Sequence, residues 1–337
     1  MRSRPERLSE HSSPVARVQR WLLRQIPAAD GAVIGSFEPD GRPRYAYPEI
    51  AGYALSWLAW LQSCADPAWS LHKRAAAVGV WLQHWLDSDL RTRPSPGAAA
   101  DWRNQGLFAF DLAMILRGVA AARSASLMGC AEAKALTAGL AAQLVRLLDN
   151  HGELMPVLVT GDRLPDRWST RSGPYQAKVG AALLLAQRQL TIPAVLTRAA
   201  DQLLRDAATQ IAGPIHTDSA HAALYALEGI AQGVAIKALP EATLVLLPQR
   251  LDDLAQAPGM ASHERHDVLA QWVRLARLYC PDHPRLPELI VRLEQAVTDT
   301  GALPFAQLQG DPGPCTWAAL FCHQALNPQT MAMEHCI

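Results

Sequence analysis

Acidic, basic and aromatic side chains stand at the starts of several apolar segments of this chain. The stretch YPEIAGYALSWLAW, residues 47–60, opens with Tyr47, Pro48 and Glu49 and is otherwise almost entirely apolar. Proline suits the first turn of a helix, and a carboxylate there complements the helix dipole. Because Pro48 already marks the helix start, Glu49 is less needed as a cap. We therefore predict that Glu49 acts as a general acid or base.

Two further segments carry titratable groups at comparable positions. His221 lies near the start of AHAALYALEGIAQG, and its pKa near neutrality suits proton transfer, a structural core histidine being the alternative. Tyr175 and Lys178 share a helix face because they are one turn apart. We expect Tyr175 to exchange protons and Lys178 to bind an anion, unless Lys178 snorkels to solvent.

The segment HERHD, residues 263–267, places two histidines beside Asp267. Asp267 is the fourth predicted catalytic residue, and a helix-capping role is its alternative. Two histidines and an acid can bind zinc, but the spacing is not that of an HExxH helix and no further ligand is evident. We predict no metal and no other cofactor.

Rings and cations at the same segment starts predict a site for a polyhydroxylated ligand, because aromatic rings stack on sugar faces and arginine pairs bidentately with carboxylates. The predicted ligand-binding residues are Tyr47, Tyr53, Asp111, Arg171, Lys178, Tyr225, Arg265, His266, Gln271 and Trp317. Other residues expected nearby are Asp101, Trp102, Arg103, Trp168, His216, Asp218, His263, Asp311, Cys315 and Thr316. Glu228, in the middle of its segment, is expected to pair with Arg117 of a neighbouring segment.

The elements that must position these residues are helices. Ala, Leu, Arg and Gln dominate the sequence, and β-branched runs are as short as VLVT at 157–160. Six segments are apolar almost all round and carry polar groups only near their starts. These segments begin at residues 47, 110, 175, 220, 267 and 315.

Six amphipathic segments alternate with these apolar ones. Each has an apolar stripe opposite an arginine-rich face, which is typical of a helix at the protein surface. They begin at residues 15, 69, 131, 194, 241 and 285, and Pro248 is expected to kink or shorten the fifth. Turns containing Gly31, Gly152, Gly213 and Gly301 follow four of them, where a positive φ would end the helix.

Helices that are apolar on all sides must be surrounded by protein, and six hairpins achieve this by closing into a ring. We therefore predict an all-α (α/α)6 toroid, a single domain spanning residues 1–337 with a flexible N-terminal segment 1–13 and a C-terminal tail 328–337. The alternative is an open solenoid, which would expose one face. In a toroid the inner helices run parallel, so their electropositive N-termini converge on one funnel.

Composition limits the partners. The chain has 31 basic and 31 acidic residues, and this balance argues against a general nucleic-acid or anionic-membrane binder. It has no apolar run of about 20 residues that could span a bilayer, no signal-peptide pattern and no CxxC pair. We expect a cytoplasmic protein with a saccharide or other polyhydroxylated small molecule as ligand. The oligomeric state is left open.

Four motifs, YPEIAGY, FDLAMILRGV, HAALYALEGI and RHDVLAQWVRL, resemble those of bacterial six-hairpin proteins in capsule and exopolysaccharide gene sets. Such proteins are distantly similar to uronyl-epimerase and unsaturated-glucuronyl-hydrolase toroids. The resemblance covers about residues 15 to 328 and implies the ring fold and a carbohydrate context. The second motif departs from the pattern, because Leu112 and Ala113 follow Asp111 where a Thr-Gly pair is expected.

Together these features predict a carbohydrate-active enzyme that acts on a saccharide or uronic acid by metal-independent general acid/base chemistry. A hydrolase would need two carboxylates about 5 to 10 Å apart, whereas an epimerase or lyase would need a base and a Tyr or His on opposite sides of one carbon. The alternative is a non-catalytic toroid that binds a saccharide or a partner in polysaccharide assembly. An isoprenoid- or peptide-modifying enzyme would need an apolar lumen, which the polar helix starts disfavour.

Overall fold

The structure is a computed structural model that describes residues 13–27, 29–64, 70–88, 102–161, 164–213, 220–256, 265–306, 313–327 and 332–337. Twelve α-helices lie in these residues and alternate between two layers. The outer helices are α1 (Pro14–Gln25), α3 (Leu71–Leu86), α5 (Cys130–Val145), α7 (Ala194–Gln210), α9 (Leu247–Gln256) and α11 (Leu286–Ala296). The inner helices are α2 (Pro48–Cys64), α4 (Ala109–Ser124), α6 (Ala177–Gln187), α8 (Ala220–Ala235), α10 (His266–Tyr279) and α12 (Thr316–Leu326).

The two layers differ in burial as the sequence pattern predicts. The outer helix α1 buries only one face, whereas α2 buries every residue from Pro48 to Leu61 except Ala59. A helix that is buried all round needs neighbours on every side. The fifth outer helix is shortened at the expected place, because residues 241–246 form a 3-10 helix and Pro248 lies in the first turn of α9.

The inner helices form a closed ring. Each inner helix packs against the next one along the chain, and α12 returns to pack against both α1 and α2. An open solenoid would leave its first and last hairpins apart. The predicted (α/α)6 toroid is therefore confirmed.

Small residues allow the inner helices to approach closely. A Cβ atom on Gly52 of α2 would lie 2.6 Å from the Cα of Ile115, and one on Gly118 of α4 would lie 2.2 Å from the carbonyl oxygen of Gly52. Any side chain at either position would push α2 and α4 apart, because protein interiors are close-packed. The Ala- and Gly-rich composition of the inner helices therefore sets the width of the ring.

The loops between outer and inner helices meet at one end of the ring. Strand β1 (Ile34–Phe37) pairs antiparallel with β2 (Pro43–Ala46), and β3 (Gly106–Phe108) pairs antiparallel with β4 (Val157–Val159). The β3–β4 pair ties the segment before α4 to the segment before α6. These loops therefore hold their side chains beside the N-termini of the inner helices.

Turns with a positive-φ glycine follow three outer helices, but the glycines do not end these helices, because α1, α5 and α11 already end at Gln25, Val145 and Ala296. Gly31, Gly152 and Gly301 have positive φ angles, whereas Gly213 does not. A positive φ reverses the chain direction at low steric cost only for glycine, which suits a sharp turn from an outer helix toward the ring.

The last residues of the chain pack into the ring. Met333, Cys336 and Ile337 are buried, and the carbonyl oxygen of Cys336 accepts hydrogen bonds from Arg117 and Gln232. The prediction of a loose tail is wrong for residues 332–337, because buried donors inside the ring need the acceptors that this segment supplies. Residues 328–331 lie outside the described residues.

At the other end of the chain, residues 1–12 of the segment predicted to be flexible lie outside the described residues. Ser13 caps α1, because its hydroxyl accepts a hydrogen bond from the backbone N–H of Ala16. Buried hydrophobic residues from Val18 to Ile337 form one cluster. In the part of the chain that the structure describes, no helix combines the length and apolarity needed to cross a membrane.

Candidate active site

A cavity of about 370 Å³ opens at the N-terminal ends of the inner helices, where the polar helix starts were predicted to converge. We call it the mouth cavity. Its lining residues are Tyr47, Glu49, Ile50, Trp102, Arg103, Phe108, Phe110, Asp111, Arg167, Trp168, Ser169, His221, Tyr225, Arg265, Phe305 and Trp317. The lining combines aromatic rings, guanidinium groups, two carboxyl groups and one imidazole.

Glu49 lies in the first turn of α2 and is only 9% exposed. Burial raises its pKa, against the lowering effects of the Tyr53 and Tyr47 hydroxyls and of the Lys178 and Arg103 cations. The Glu49 carboxyl group therefore keeps its proton to a higher pH than a solvated glutamate does. In this position it can donate a proton to a bound ligand.

His221 lies in the first turn of α8, with its Nδ1 atom 2.7 Å from Oε1 of Gln271. Its ring packs on Tyr225, with 4.3 Å between ring centroids. Burial and, to a smaller extent, the charge of Arg265 lower the His221 pKa to about 4, while Asp267 opposes the shift. The imidazole is therefore neutral at pH 7 and can accept a proton.

Asp267 is fully buried at the start of α10 and is closely hydrogen-bonded. Its carboxylate accepts hydrogen bonds from Arg265 at 3.0 and 2.6 Å, from Trp317 Nε1 at 3.1 Å and from the Val268 N–H at 2.9 Å. Burial favours a raised pKa, but the opposing charges of Arg265 and His221 bring the Asp267 pKa down to about 2. Asp267 therefore positions Arg265 and Trp317, which line the cavity, and does not itself line it.

Two guanidinium groups meet over one indole at the edge of the mouth cavity. The Cζ atoms of Arg103 and Arg167 lie 4.4 and 5.4 Å from the ring centroid of Trp102. The two arginines are brought together by the β3–β4 pair and by a hydrogen bond from the Thr160 N–H to the Gln105 carbonyl. These charges, together with the positive ends of the inner helices, favour an anionic group in the cavity.

Aromatic rings form much of the cavity wall. Trp168 stands edge-on to Tyr175 at 4.9 Å and to His221 at 5.7 Å between centroids. On the other side, Trp317 stands edge-on to Phe305 at 5.6 Å. These rings offer flat apolar faces beside polar groups, an arrangement that suits a sugar ring.

Half of the fourteen predicted site residues line the mouth cavity. These are Tyr47, Glu49, Asp111, His221, Tyr225, Arg265 and Trp317. Trp102, Arg103 and Trp168, also expected at the mouth, line the cavity as well. Five further residues expected there lie outside the described residues, namely Asp101, His216, Asp218, His263 and Asp311.

Three predicted site residues serve the surrounding loops and do not line the cavity. The Tyr175 hydroxyl donates a hydrogen bond to the carbonyl oxygen of Arg171 at 3.1 Å. The Arg171 side chain pairs with Asp166 at the surface. His266 Nδ1 lies 2.9 Å from the carbonyl oxygen of Pro304. These three side chains therefore lie outside the lining of the mouth cavity.

Lys178 lies below the mouth cavity, in the interior of the ring. Its Nζ atom is 2.6 Å from Oε2 of Glu228, whose other oxygen pairs with Arg274. Neither free anion binding nor snorkelling describes this buried lysine, because its charge is matched inside the protein. The expected pair between Glu228 and Arg117 is also corrected: Arg117 instead donates to the Cys336 carbonyl. We call Lys178, Glu228 and Arg274 the interior ion cluster.

Tyr53 and Gln271 contact the lining residues from below. The Tyr53 and Tyr225 hydroxyl oxygens are 3.3 Å apart, and burial raises the pKa of both phenols. Gln271 lies between His221 and Glu228, with its Nε2 atom 3.3 Å from the Glu228 carboxylate. Both residues therefore support the cavity wall.

Sequence reasoning missed several lining residues. The missed residues are Ile50, Phe108, Phe110, Arg167, Ser169 and Phe305. Some of them lie next to predicted residues in the sequence. Arg167 and Ser169 flank Trp168 in DRWST, and Phe110 is the first residue of a predicted inner helix. The position of Arg167 beside Trp168 is therefore a sequence signal for a second cation at the cavity.

Metal ligands are not grouped in the described residues. No three or more His, Cys, Asp or Glu side chains in these ranges are placed to hold a metal ion. His263 of HERHD lies outside them, so the absence of a metal stays a prediction.

No family model matches the sequence, and no curated protein does so. Solved structures do share the fold. D-mannose isomerase superimposes with a TM-score of 0.65 at 13% identity, covering 96% of this chain and 99% of that chain. Two glycosidase variants superimpose with TM-scores of 0.62 and 0.59 at 10% and 11% identity, each covering 96% of this chain and 98% of the other. These structures are (α/α)6 toroid enzymes, and the similarity establishes the same fold for this chain.

Proposed function

We propose that this chain is a carbohydrate-active enzyme that transfers protons to and from a sugar held in the mouth cavity. One observation supports this above the others. Glu49 and His221 line the same cavity, and burial shifts their pKa values in opposite directions, so that a proton donor and a neutral proton acceptor face one space. The toroid neighbours named for D-mannose isomerase and glycosidases are consistent with a sugar as ligand.

The reaction class that best fits this pair is isomerisation or epimerisation next to a carbonyl group. His221 would take the proton from the carbon beside the carbonyl, while Glu49 would give its proton to the carbonyl oxygen and so form a neutral enediol. For isomerisation, His221 would return its proton to the former carbonyl carbon while Glu49 takes the hydroxyl proton from the carbon that was deprotonated. For epimerisation, the enediol would turn over, His221 would return its proton to the opposite face of the deprotonated carbon, and Glu49 would take back the proton that it gave to the carbonyl oxygen. Each step moves one proton to a named atom and needs no further reactant.

The proposed ligand carries a negative charge, as a uronic acid does. Arg103 and Arg167 converge at the cavity edge, and in the described residues no carboxylate pairs with Arg167. The indoles of Trp102, Trp168 and Trp317 would contact the sugar faces. The volume of about 370 Å³ lies within the range of small-molecule pockets.

The test is turnover by variants of the two proton-transfer residues. Purified protein would be incubated with aldoses, ketoses and uronic acids, and products would be followed by chromatography and by deuterium uptake from solvent. Glu49→Gln and His221→Asn should each lower turnover by about a hundredfold or more. Glu132→Gln on α5 and His283→Asn beside Asp252 are matched controls away from the cavity. Full activity in both site variants would refute the assignment.

A hydrolase is the second candidate, because Asp111 is another carboxyl group that lines the cavity with Glu49. Hydrolysis would use Glu49 as acid and Asp111 as base or nucleophile. Asp111→Asn would then abolish cleavage of oligosaccharides, whereas a proton-transfer isomerase would tolerate this change better. Release of a reducing sugar without solvent deuterium at carbon would favour the hydrolase.

A non-catalytic saccharide- or partner-binding toroid in polysaccharide assembly is the outcome to expect if ligands bind without turnover. Calorimetry with the same sugars would reveal it as saturable binding to the unmodified protein in samples from which the sugar is recovered unchanged. We also propose a cytoplasmic location, because all six cysteines are free thiols.

A further inference from the structure

A line of hydrogen bonds joins His221 to the interior of the ring. His221 Nδ1 lies 2.7 Å from Gln271 Oε1, and Gln271 Nε2 lies 3.3 Å from Glu228 Oε2. Glu228 and Gln271 are fully buried, so water does not compete for these contacts. His221 and Glu228 stand on α8, seven residues apart, and Gln271 reaches them from α10.

The interior ion cluster fixes the inner end of this line, which is the Glu228 carboxylate. Glu228 pairs with Lys178 Nζ at 2.6 Å and with Arg274, so it is an ionised carboxylate that only accepts hydrogen bonds. The amide of Gln271 must then present its NH2 group to Glu228. Its carbonyl oxygen is left to face the His221 ring.

The neutral imidazole carries a hydrogen on only one of its two ring nitrogens. A ring nitrogen next to an amide oxygen must carry the hydrogen, so His221 is protonated at Nδ1 and its Nε2 holds the free electron pair. The nearby carboxylate does not compete with Gln271 for the Nδ1 hydrogen. Asp267 Oδ2 is 3.9 Å from Nδ1, beyond hydrogen-bond distance, and Asp267 is already paired with Arg265.

We propose that Gln271 and Glu228 are positioning residues that hold His221 in the Nδ1–H tautomer and so make Nε2 the proton acceptor. This inference rests on the proposed function for its catalytic meaning, because only a proton-transfer enzyme needs one defined basic nitrogen. It revises the predicted role of Gln271, which acts on the ligand through His221.

Nitrogen-15 NMR of histidine-labelled protein tests the tautomer directly. The His221 signals are those missing from the spectrum of His221→Asn. In the unmodified protein at pH 7 the Nδ1 signal should be that of a protonated nitrogen and the Nε2 signal that of an unprotonated one. In Gln271→Leu the ring loses its acceptor, so the two signals should move toward each other as both tautomers become populated.

Gln232→Leu is the matched control, because Gln232 is equally buried but bonds to the Cys336 carbonyl. It should leave the His221 signals unchanged. If the chain is an isomerase or epimerase, Gln271→Leu should also lower kcat by about tenfold or more. The same substitution should shift the acid limb of the kcat/KM pH profile. Gln232→Leu should change neither kcat nor the pH profile.

The two readouts separate the two proposals. An Nε2–H signal for His221 in the unmodified protein, or an unchanged spectrum in Gln271→Leu, would overturn the positioning role whatever the protein catalyses. The expected tautomer in a protein without turnover would support the positioning geometry and count against the proposed reaction alone.

Discussion

The mouth and the interior of the ring use the same types of side chain in different ways. In the interior ion cluster the Glu228 carboxylate is matched by two cations, and those cations also donate to the backbone oxygen of Ile337. At the mouth, Glu49 and Arg167 face a cavity of about 370 Å³. Burial alone therefore does not mark a functional residue, since the fully buried Lys178 and Glu228 pair with each other inside the protein.

The physical reason is desolvation. A charge removed from water must regain nearly all of its interactions from the protein, so the interior charges are closely paired. A group at the mouth can remain partly unsatisfied because ligand or water reaches it. At the mouth, burial raises the pKa of Glu49 and lowers the pKa of His221, so in both residues it favours the neutral form.

The largest stability effect is expected from breaking the interior ion cluster. Glu228→Gln keeps the shape of the side chain but leaves Lys178 and Arg274 without their carboxylate. The loss in free energy of unfolding should be about 3–5 kcal/mol, measured by urea unfolding at pH 7. The matched change at the mouth, Glu49→Gln, should cost far less, because burial raises the Glu49 pKa and so already disfavours the charge that the substitution removes. Equal losses in the two variants would mean that the two regions do not differ as described.

The next effect concerns pH. The His221 pKa is about 4 in the folded protein and about 6.5 in the unfolded chain, so the unfolded chain binds more protons between these values. Stability contributed by the neutral ring is present above pH 6.5 and is lost as the pH falls toward 4. Between pH 7 and pH 5 this amounts to about 2 kcal/mol.

His221→Asn should therefore remove about 2 kcal/mol of the pH dependence of unfolding between pH 7 and pH 5. Urea unfolding of both proteins at the two pH values gives the difference, in which the opposite contribution of Glu49 cancels. His72→Asn, an exposed change on α3, controls for the loss of a histidine. An unchanged pH slope in His221→Asn would show that the ring is not held neutral by its surroundings.

The fold was predictable because its signal is local and repeated. Whether a helix is apolar on one side or on all sides can be seen within about fifteen residues, and six alternations of the two types leave closure as the simplest way to bury the second type. The position of the site followed from the same step, since parallel inner helices bring Glu49, Asp111 and His221 to one end.

The partners of the site residues were less predictable because they depend on contacts between distant segments. Arg167 reaches the cavity through the pairing of two three-residue strands, Gly106–Phe108 with Val157–Val159, which no periodicity reveals. Lys178 was expected to bind a ligand, but its direction was decided by Glu228 on another helix. A sequence shows which residues are polar within an apolar helix, but it does not show which of them will form hydrogen bonds or ion pairs with one another.

A smaller effect is expected from the guanidinium groups at the mouth. Arg167→Ala should weaken binding of a uronic acid about tenfold, because one charge-assisted contact is lost, and should leave binding of the matching neutral sugar unchanged. Calorimetry at two salt concentrations measures both. Arg171→Ala is the matched control, because Arg171 pairs with Asp166 outside the cavity lining. Equal weakening by the two variants would place the anion elsewhere.

The smallest effect is expected at Tyr175, whose hydroxyl donates to the Arg171 carbonyl oxygen while its ring supports Trp168. Tyr175→Phe removes one hydrogen bond and keeps the ring, so it should cost about 1 kcal/mol of stability. Turnover should stay within about threefold of the unmodified protein, because general acid/base residues cost far more when removed. A hundredfold loss of kcat with unchanged stability would restore Tyr175 as a catalytic residue and would mean that the mouth cavity extends past Trp168 when a ligand is bound.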